Sequence, residues 1–259
     1  MERGLAVHVT AALVSTLLFA LSIPPVWATD NMAREPLVVT VGLNHAPPYR
    51  IVDGPEKTGL YVDIFREIAN RLGWTLAFRE APFPRVLLMA QQGDVDVMLG
   101  PIRTKDREKL LEFVAPAFPP ERRLFFYIEE KHRIDRYSDL VGKRIGVLAG
   151  SRYFPKFDSD QQLIKESAPR YRNLMLMLEK GRVDVVIAPE LVGLYTIREL
   201  DLPVAVSPFF VPGERSYIAV SRNSPIMAYV DDIRAALKLI EMEGIHEELV
   251  LKYLEQAQP

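Results

Sequence analysis

The sequence predicts an α/β chain of two sandwich lobes joined by a two-segment hinge, and three observations predict it. Apolar, β-branched runs alternate with segments of helical period, the strand–helix–strand rhythm of parallel sheets covered by helices. A stretch recurs, "MAQQGDVDVMLGP" from Met89 and "MLEKGRVDVVIAP" from Met177, displaced by 88 residues. The copies share their Met and agree at Gly93/Gly181, Val95/Val183, Asp96/Asp184, Val97/Val185 and Pro101/Pro189. Each copy also follows a glycine-bearing strand, "VVTVGL" in one case and "KRIGVLAG" in the other. Two copies imply a duplicated lobe rather than a solenoid, which needs more repeats.

Taken in order, "LVVTVGL" (Leu37 to Leu43) is a buried strand ended by "NHAPPY". Leu60, Ile64, Ile68 and Leu72 recur every four residues, an amphipathic helix closed by Gly73. "TLAFRE" is a strand, "PRVLLMAQQG" a helix ending at Gly93, and "VDVMLG" a strand. "LGPIRTKDREKLLEFV" then passes into a helix with Thr104 as N-cap and Arg107 at its third position. Cations are disfavoured there by the helix dipole. Free N–H groups with a guanidinium fork would instead form a carboxylate site. The second copy is followed by a helix and strand in "VGLYTIRELDLPVAV", the strand "SYIAV", a turn at Asn223–Pro225, a long helix stopped by Gly244, and a final helix "IHEELVLKYLEQ". Crossings between lobes are expected in "RRLFFYIEEKHR" and around "SPFFVPGERSYIAV". The expected division is 1–28 signal peptide, 29–126 first lobe, 127–209 second lobe, and 210–259 the return to the first lobe with the C-terminal helices.

The chain has 259 residues, a formal net charge of −2, 49% hydrophobic residues and no cysteine. Near-neutral charge without a basic cluster argues against nucleic-acid binding, and no cysteine means no thiol chemistry and no disulfides. Arg3, the apolar "AALVSTLLFALSI" and "VWA" before Thr29 read as a Sec signal peptide cut near Ala28. An exported, periplasmic protein is expected. His8, His45, His132 and His246 lie far apart, without metal-ligand spacing. No nucleotide fingerprint appears, so no cofactor or metal is expected.

On four fragments the chain resembles the family 3 bacterial extracellular solute-binding proteins, the periplasmic receptors of polar amino acid ABC importers. They are "APPY" with "GLYVDIFREIANRLG", "QQGDVDVML", "TKDREKLLEFVAPAF", and "DLVGKRIGVLAGS", in the family's order and spacing. The resemblance implies a type II periplasmic binding protein-like fold whose lobes close over a ligand. It implies that Arg107 holds a ligand carboxylate, assisted by backbone at Gly100 to Ile102 and by the Gly150–Ser151 turn. Phe83 would stack on the ligand, and His45 or Tyr49 would contribute from the first loop. The implied partners are a small carboxylate-bearing solute and an inner-membrane permease or membrane sensor, with the chain itself a monomer and no enzyme.

One position departs from the family. The aspartate that holds an α-ammonium falls at Pro189, with Glu190 beside it. Arg103 and Arg152 either line the cleft and favour a second acidic group or are solvated rim charges. Asp96 and Asp184 read as backbone-fixing residues. Two alternatives share the scaffold: a cyclohexadienyl dehydratase-like enzyme, in which Glu190 or Asp158 would act as general acid, and a ligand-sensing accessory of a membrane signalling protein.

Overall fold

The computed structural model describes residues 37–257; the signal peptide expected at 1–28 lies outside them. Two five-stranded sheets carry the two lobes. The first has the order β2-β1-β3-β10-β4, with β1 at Val38–Leu43, β2 at Thr75–Glu80, β3 at Val97–Leu99, β4 at Leu111–Phe118 and β10 at Ser216–Ser221. The second has the order β7-β6-β8-β5-β9, with β5 at Arg123–Tyr127, β6 at Arg144–Leu148, β7 at Ile164–Ala168, β8 at Val185–Pro189 and β9 at Ala205–Val211. In each sheet three parallel strands are followed by an antiparallel neighbour, β10 in one and β5 in the other.

The recurring stretch occupies the same place in both sheets. Asp96 Oδ2 accepts the Thr40 N–H at 2.7 Å while Asp96 N donates to the Thr40 carbonyl at 2.8 Å. Asp184 repeats this pair with Arg144, at 2.8 Å in each direction. Each aspartate therefore splices the start of a central strand to its parallel neighbour, satisfying backbone groups before the ladder takes over. The upstream glycines correspond too. A Cβ on Gly42 would sit 2.6 Å from Val86 Cγ1, and one on Gly146 would sit 3.2 Å from Leu174 Cδ2. Both glycines lie where α2 (Phe83–Gln92) and α5 (Tyr171–Glu179) press onto their sheets, with the tighter approach at Gly42.

Helix α1 (Leu60–Leu72) buries Leu60, Ile64 and Ile68, and ends at Gly73 with φ 68°, a left-handed cap that glycine adopts without strain. Helices α7 (Val230–Met242) and α8 (Ile245–Ala257) pack against α1, and α8 also reaches α6 (Glu190–Glu199) of the second lobe. Tyr253 fastens α8 by donating to Asp63 Oδ2 and accepting the Gly59 N–H at 3.1 Å.

Three expectations are corrected. The helix begun at Thr104 lasts a single turn, α3 (Lys105–Glu108), and Leu111 enters β4. "LEFVAPAF" has its apolar side chains held between β10 and the helical layer, and strand pairing with β10 wins over helical continuation. Four residues sum to little macrodipole, so the dipole does not explain Arg107. The outward crossing is also misplaced: Arg123–Tyr127 is wholly buried as β5 between β8 and β9, so the 126/127 boundary falls at the end of a core strand. The chain passes between sheets at 119–122 and returns at 212–215, and these segments touch, with Gly213 against the Glu121 backbone. The second lobe accordingly runs on past 209 to the end of β9 at Val211.

Candidate functional site

A cavity of about 80 Å³ opens where the carboxyl ends of the parallel strands of both sheets face each other, the place at which open α/β sheets expose loops to ligands. The first lobe contributes Asn44 after β1 and Gly100 to Ile102 after β3; the second contributes Leu148 and Ser151 around the end of β6 and Pro189 at the end of β8.

Arg107 lies across the cleft, only 6% exposed. Its Nη1 donates to the Ile102 carbonyl at 3.1 Å within its own lobe, and its Nη2 donates to the Gly150 carbonyl of the opposite lobe at 3.3 Å. The guanidinium rests over the Phe83 ring, 4.8 Å from its centroid, a cation–π contact. The turn at Thr104, whose Oγ1 accepts the Arg107 N–H at 3.3 Å, sets the backbone that aims it. Burial, then repulsion from Arg152, lowers the Arg107 pKa to about 10, so it is charged at neutral pH.

The hinge end of the cavity includes Tyr49, expected from the first loop, and otherwise residues that the sequence reading passed over. Arg50 is buried, donating from Nη1 to the Leu99 carbonyl at 2.8 Å and from Nε to the Asn44 carbonyl at 3.1 Å. Its guanidinium lies 5.4 Å from the Tyr61 centroid, and Tyr61 is stacked between Tyr49 and Phe118 with centroids at 4.3 Å and 3.6 Å. Arg123 donates to the Glu121 carbonyl at 3.0 Å. Glu121, on the outward crossing, accepts the Leu191 N–H at 2.5 Å and the Tyr49 hydroxyl. Desolvation raises its carboxyl to about 7 against the opposing pull of those donors and Arg123. On the second lobe the Tyr153 hydroxyl accepts the Leu148 N–H at 2.8 Å and bonds to Tyr171. Burial pushes Tyr171 up to about 12. Asn44, 5% exposed, has its side-chain Nδ2 unpartnered at the cavity wall.

The structure brings Arg107, Phe83, Gly100, Ile102, Ser151 and Arg152 to this cavity, Arg152 at its exposed rim. Gly150 takes part through its carbonyl. Three expected residues lie elsewhere. Arg103 is exposed because Glu108, across the single turn of α3, draws it outward into an ion pair. Glu190 turns away to Arg122, its own N–H donating to the Arg122 carbonyl at 3.0 Å, and from this segment Pro189 and Val192 line the cavity instead. His45 sits in a separate groove, its Nε2 3.6 Å from Asp53 Oδ2, and burial lowers its pKa. Asp158 caps Tyr153 N at 3.1 Å and lines a different pocket. The overlooked signal was the density of charge in "PPERR" between two apolar strands, where hydrophobic patterning alone suggests only a connection.

Two mixed α/β lobes, two adjacent crossings and a cavity between the strand ends define the class of type II binding proteins. The model of the bacterial extracellular solute-binding proteins, family 3, matches residues 39–256, and the chain belongs to that family. It is 23% identical over 240 residues to a probable histidine-binding protein of Campylobacter jejuni, covering 86% of this chain and 88% of that protein. It is also 23% identical over 230 residues to the L-cystine-binding protein TcyA of Bacillus subtilis, covering 88% and 84%. Among solved structures it resembles a mutant of ArgBP from T. maritima, with TM-score 0.75, 23% identity, and 84% and 95% coverage. A histidine kinase sensor domain with similarity to periplasmic binding proteins superposes with TM-score 0.72 and 20% identity, covering 85% and 96%. These structural likenesses speak for the fold. Among the described residues no helix is long and apolar enough to cross a membrane.

Proposed function

We propose that the protein is a periplasmic receptor that captures a small carboxylate-bearing solute between its lobes and delivers it, as a monomer, to an ABC importer. The observation that carries this reading is Arg107, a buried guanidinium spanning both lobes with no carboxylate partner among the described residues. A buried cation without a counter-ion is costly, and a bidentate carboxylate supplies the missing charge and acceptors. Phe83 backs the guanidinium, while Ser151 and the backbone at Gly100 to Ile102 complete the wall. Paired crossings at 119–122 and 212–215 serve as the hinge, and closure is favoured because the ligand bonds groups of both lobes only when they meet.

Thermal shift and titration calorimetry of the purified protein against carboxylate solutes test this. The reading expects a raised melting temperature that Arg107→Ala abolishes. A carboxylate that stabilises both proteins equally overturns the clamp.

A sensing role is the second reading, favoured by the 21% identity to a putative sensor protein of Shewanella frigidimarina and by the sensor-domain fold likeness. Deletion of the gene separates the two: lost solute uptake supports import, and lost signalling with normal uptake supports sensing. An enzyme reading draws on Glu121, whose raised carboxyl stands beside Tyr49; turnover of prephenate by the purified protein would favour it.

A further inference from the structure

The hydrogen-bonding inventory of the cavity is lopsided. Four guanidiniums line it (Arg50, Arg107, Arg123 and Arg152), and among the described residues none forms an ion pair within 4.0 Å. The unpartnered Nδ2 of Asn44 adds a further buried donor. Against these stands a single lining carboxylate, Glu121, already engaged by the Leu191 N–H and the Tyr49 hydroxyl. Glu190, next to the position where an ammonium-binding acid would stand, is taken outward by Arg122.

The cations fall into two groups. Arg107 and Arg152 belong to the outer end, near the Gly150–Ser151 turn; Arg50 and Arg123 belong to the hinge end, around Tyr61 and Glu121. One carboxylate answers only the outer group. We propose that the solute carries two acidic groups and no ammonium, one acid at Arg107 and the other at Arg50 and Arg123, with the Asn44 amide donating to it. This rests on the carboxylate-capture reading above and extends it to the other end of the cavity.

The charge balance points to the class. With Glu121 ionised the lining carries a net +3, four guanidiniums against one carboxylate, and two ligand acids offset most of it in a low-dielectric site. An ammonium would add to the excess, and the one carboxylate of the lining is already engaged by the Leu191 N–H and the Tyr49 hydroxyl.

Matched pairs test the proposal: glutarate against glutamate, succinate against aspartate, with adipate to vary length and butyrate as the single-acid control. Calorimetry with the purified full chain is expected to show glutarate, succinate or adipate binding at least tenfold more tightly than any amino acid partner, and butyrate not measurably. Arg123→Gln is expected to weaken the best dicarboxylate at least tenfold, with Arg123→Lys recovering part of the loss; circular dichroism and unliganded melting check that both variants fold. An amino acid binding as tightly as its deamino counterpart, or a folded Arg123→Gln with unchanged dicarboxylate Kd, overturns the second site. If monocarboxylate amino acids bind through Arg107 and no dicarboxylate does, this proposal falls and the carboxylate-capture reading stands. If no carboxylate binds at all, both fall.

Discussion

The two lobes are near-copies in their sheets and unlike each other where the strands end. Asp96 and Asp184 make the same pair of backbone bonds, and both copies follow a glycine strand pressed by a helix. Beyond the strands the likeness stops. After β3 the chain turns through Gly100, Pro101 and Ile102 into the turn that carries Arg107; after β8, Pro189 leads directly into α6 with Glu190 facing outward. The repeated residues are those whose removal leaves backbone groups unbonded or helices displaced. Strand ends face the cavity and carry no such burden, so one lobe carries the anchoring Arg107 while the other supplies the Gly150 carbonyl and the Ser151 hydroxyl.

The largest expected effect falls on the unlike part. Arg107→Ala should cost about 3 kcal/mol of carboxylate affinity, roughly a hundredfold in Kd, while Arg152→Ala at the exposed rim should cost less than tenfold. Equal losses, read by calorimetry, would make the rim an equal partner. Next comes Glu121, at the junction of the lobes. Its carboxyl is raised from 4.5 to about 7, so the native state binds more protons than the unfolded chain between those values, and stability falls as pH rises through that window. The groups facing it are Tyr49, the Leu191 N–H, Arg123 and Arg50, and Glu190, though paired outward with Arg122, repels it at longer range. The difference amounts to about 3 kcal/mol. Glu121→Gln should flatten this part of the stability-versus-pH curve measured by urea unfolding, and an unchanged slope would place the burden elsewhere.

Three smaller tests follow, two on the shared part and one on the contact between the lobes. Asp96→Ala and Asp184→Ala each strip an acceptor from a strand N–H and should destabilise by about 1–3 kcal/mol, similarly in the two lobes. A large disparity in denaturant midpoint would break the equivalence. The glycines should differ: Gly42→Ala forces a Cβ to 2.6 Å from Val86 and should cost about 1–3 kcal/mol. Gly146→Ala, with its nearest side-chain atom at 3.1 Å, should cost less. Smallest is the bridge between lobes at the cleft edge, where Arg170 pairs with Asp53 at 3.0 Å and with Glu80 at 2.9 Å. These groups are exposed, and such pairs contribute about 0.2–1 kcal/mol; Arg170→Ala should weaken ligand affinity two- to fivefold, and the loss should shrink at high salt.

Much of the fold was legible because its periodicities are local. The four-residue spacing from Leu60 to Leu72 places α1 correctly, and the recurring G-x-V-D-V stretch marks β3 and β8. The failures have a common cause. "TKDREKLLEFV" carries helical signals up to Glu108, yet from Leu111 it is a strand because β10, more than a hundred residues later, pairs with it. "RRLFFY" looks like a charged connector with an apolar tail, yet it is a core strand because β8 and β9 flank it.

The sequence by itself determined the lobes, their duplication, the aspartates that splice their strands, and Arg107 as a cation at a strand-end turn. Those depend on residue spacing within one element or one repeat. Only the tertiary structure decided the company Arg107 keeps. Arg50, Glu121 and Arg123 come from the first loop, the crossing and the strand after it, and they meet only when the two sheets stand face to face. Arg103, Glu190 and His45 were excluded for the complementary reason, since each finds a nearby partner outside the cavity. A side chain's neighbours across a cleft depend on how distant segments pack, and the charge balance of a buried site exists only once water has been displaced from it.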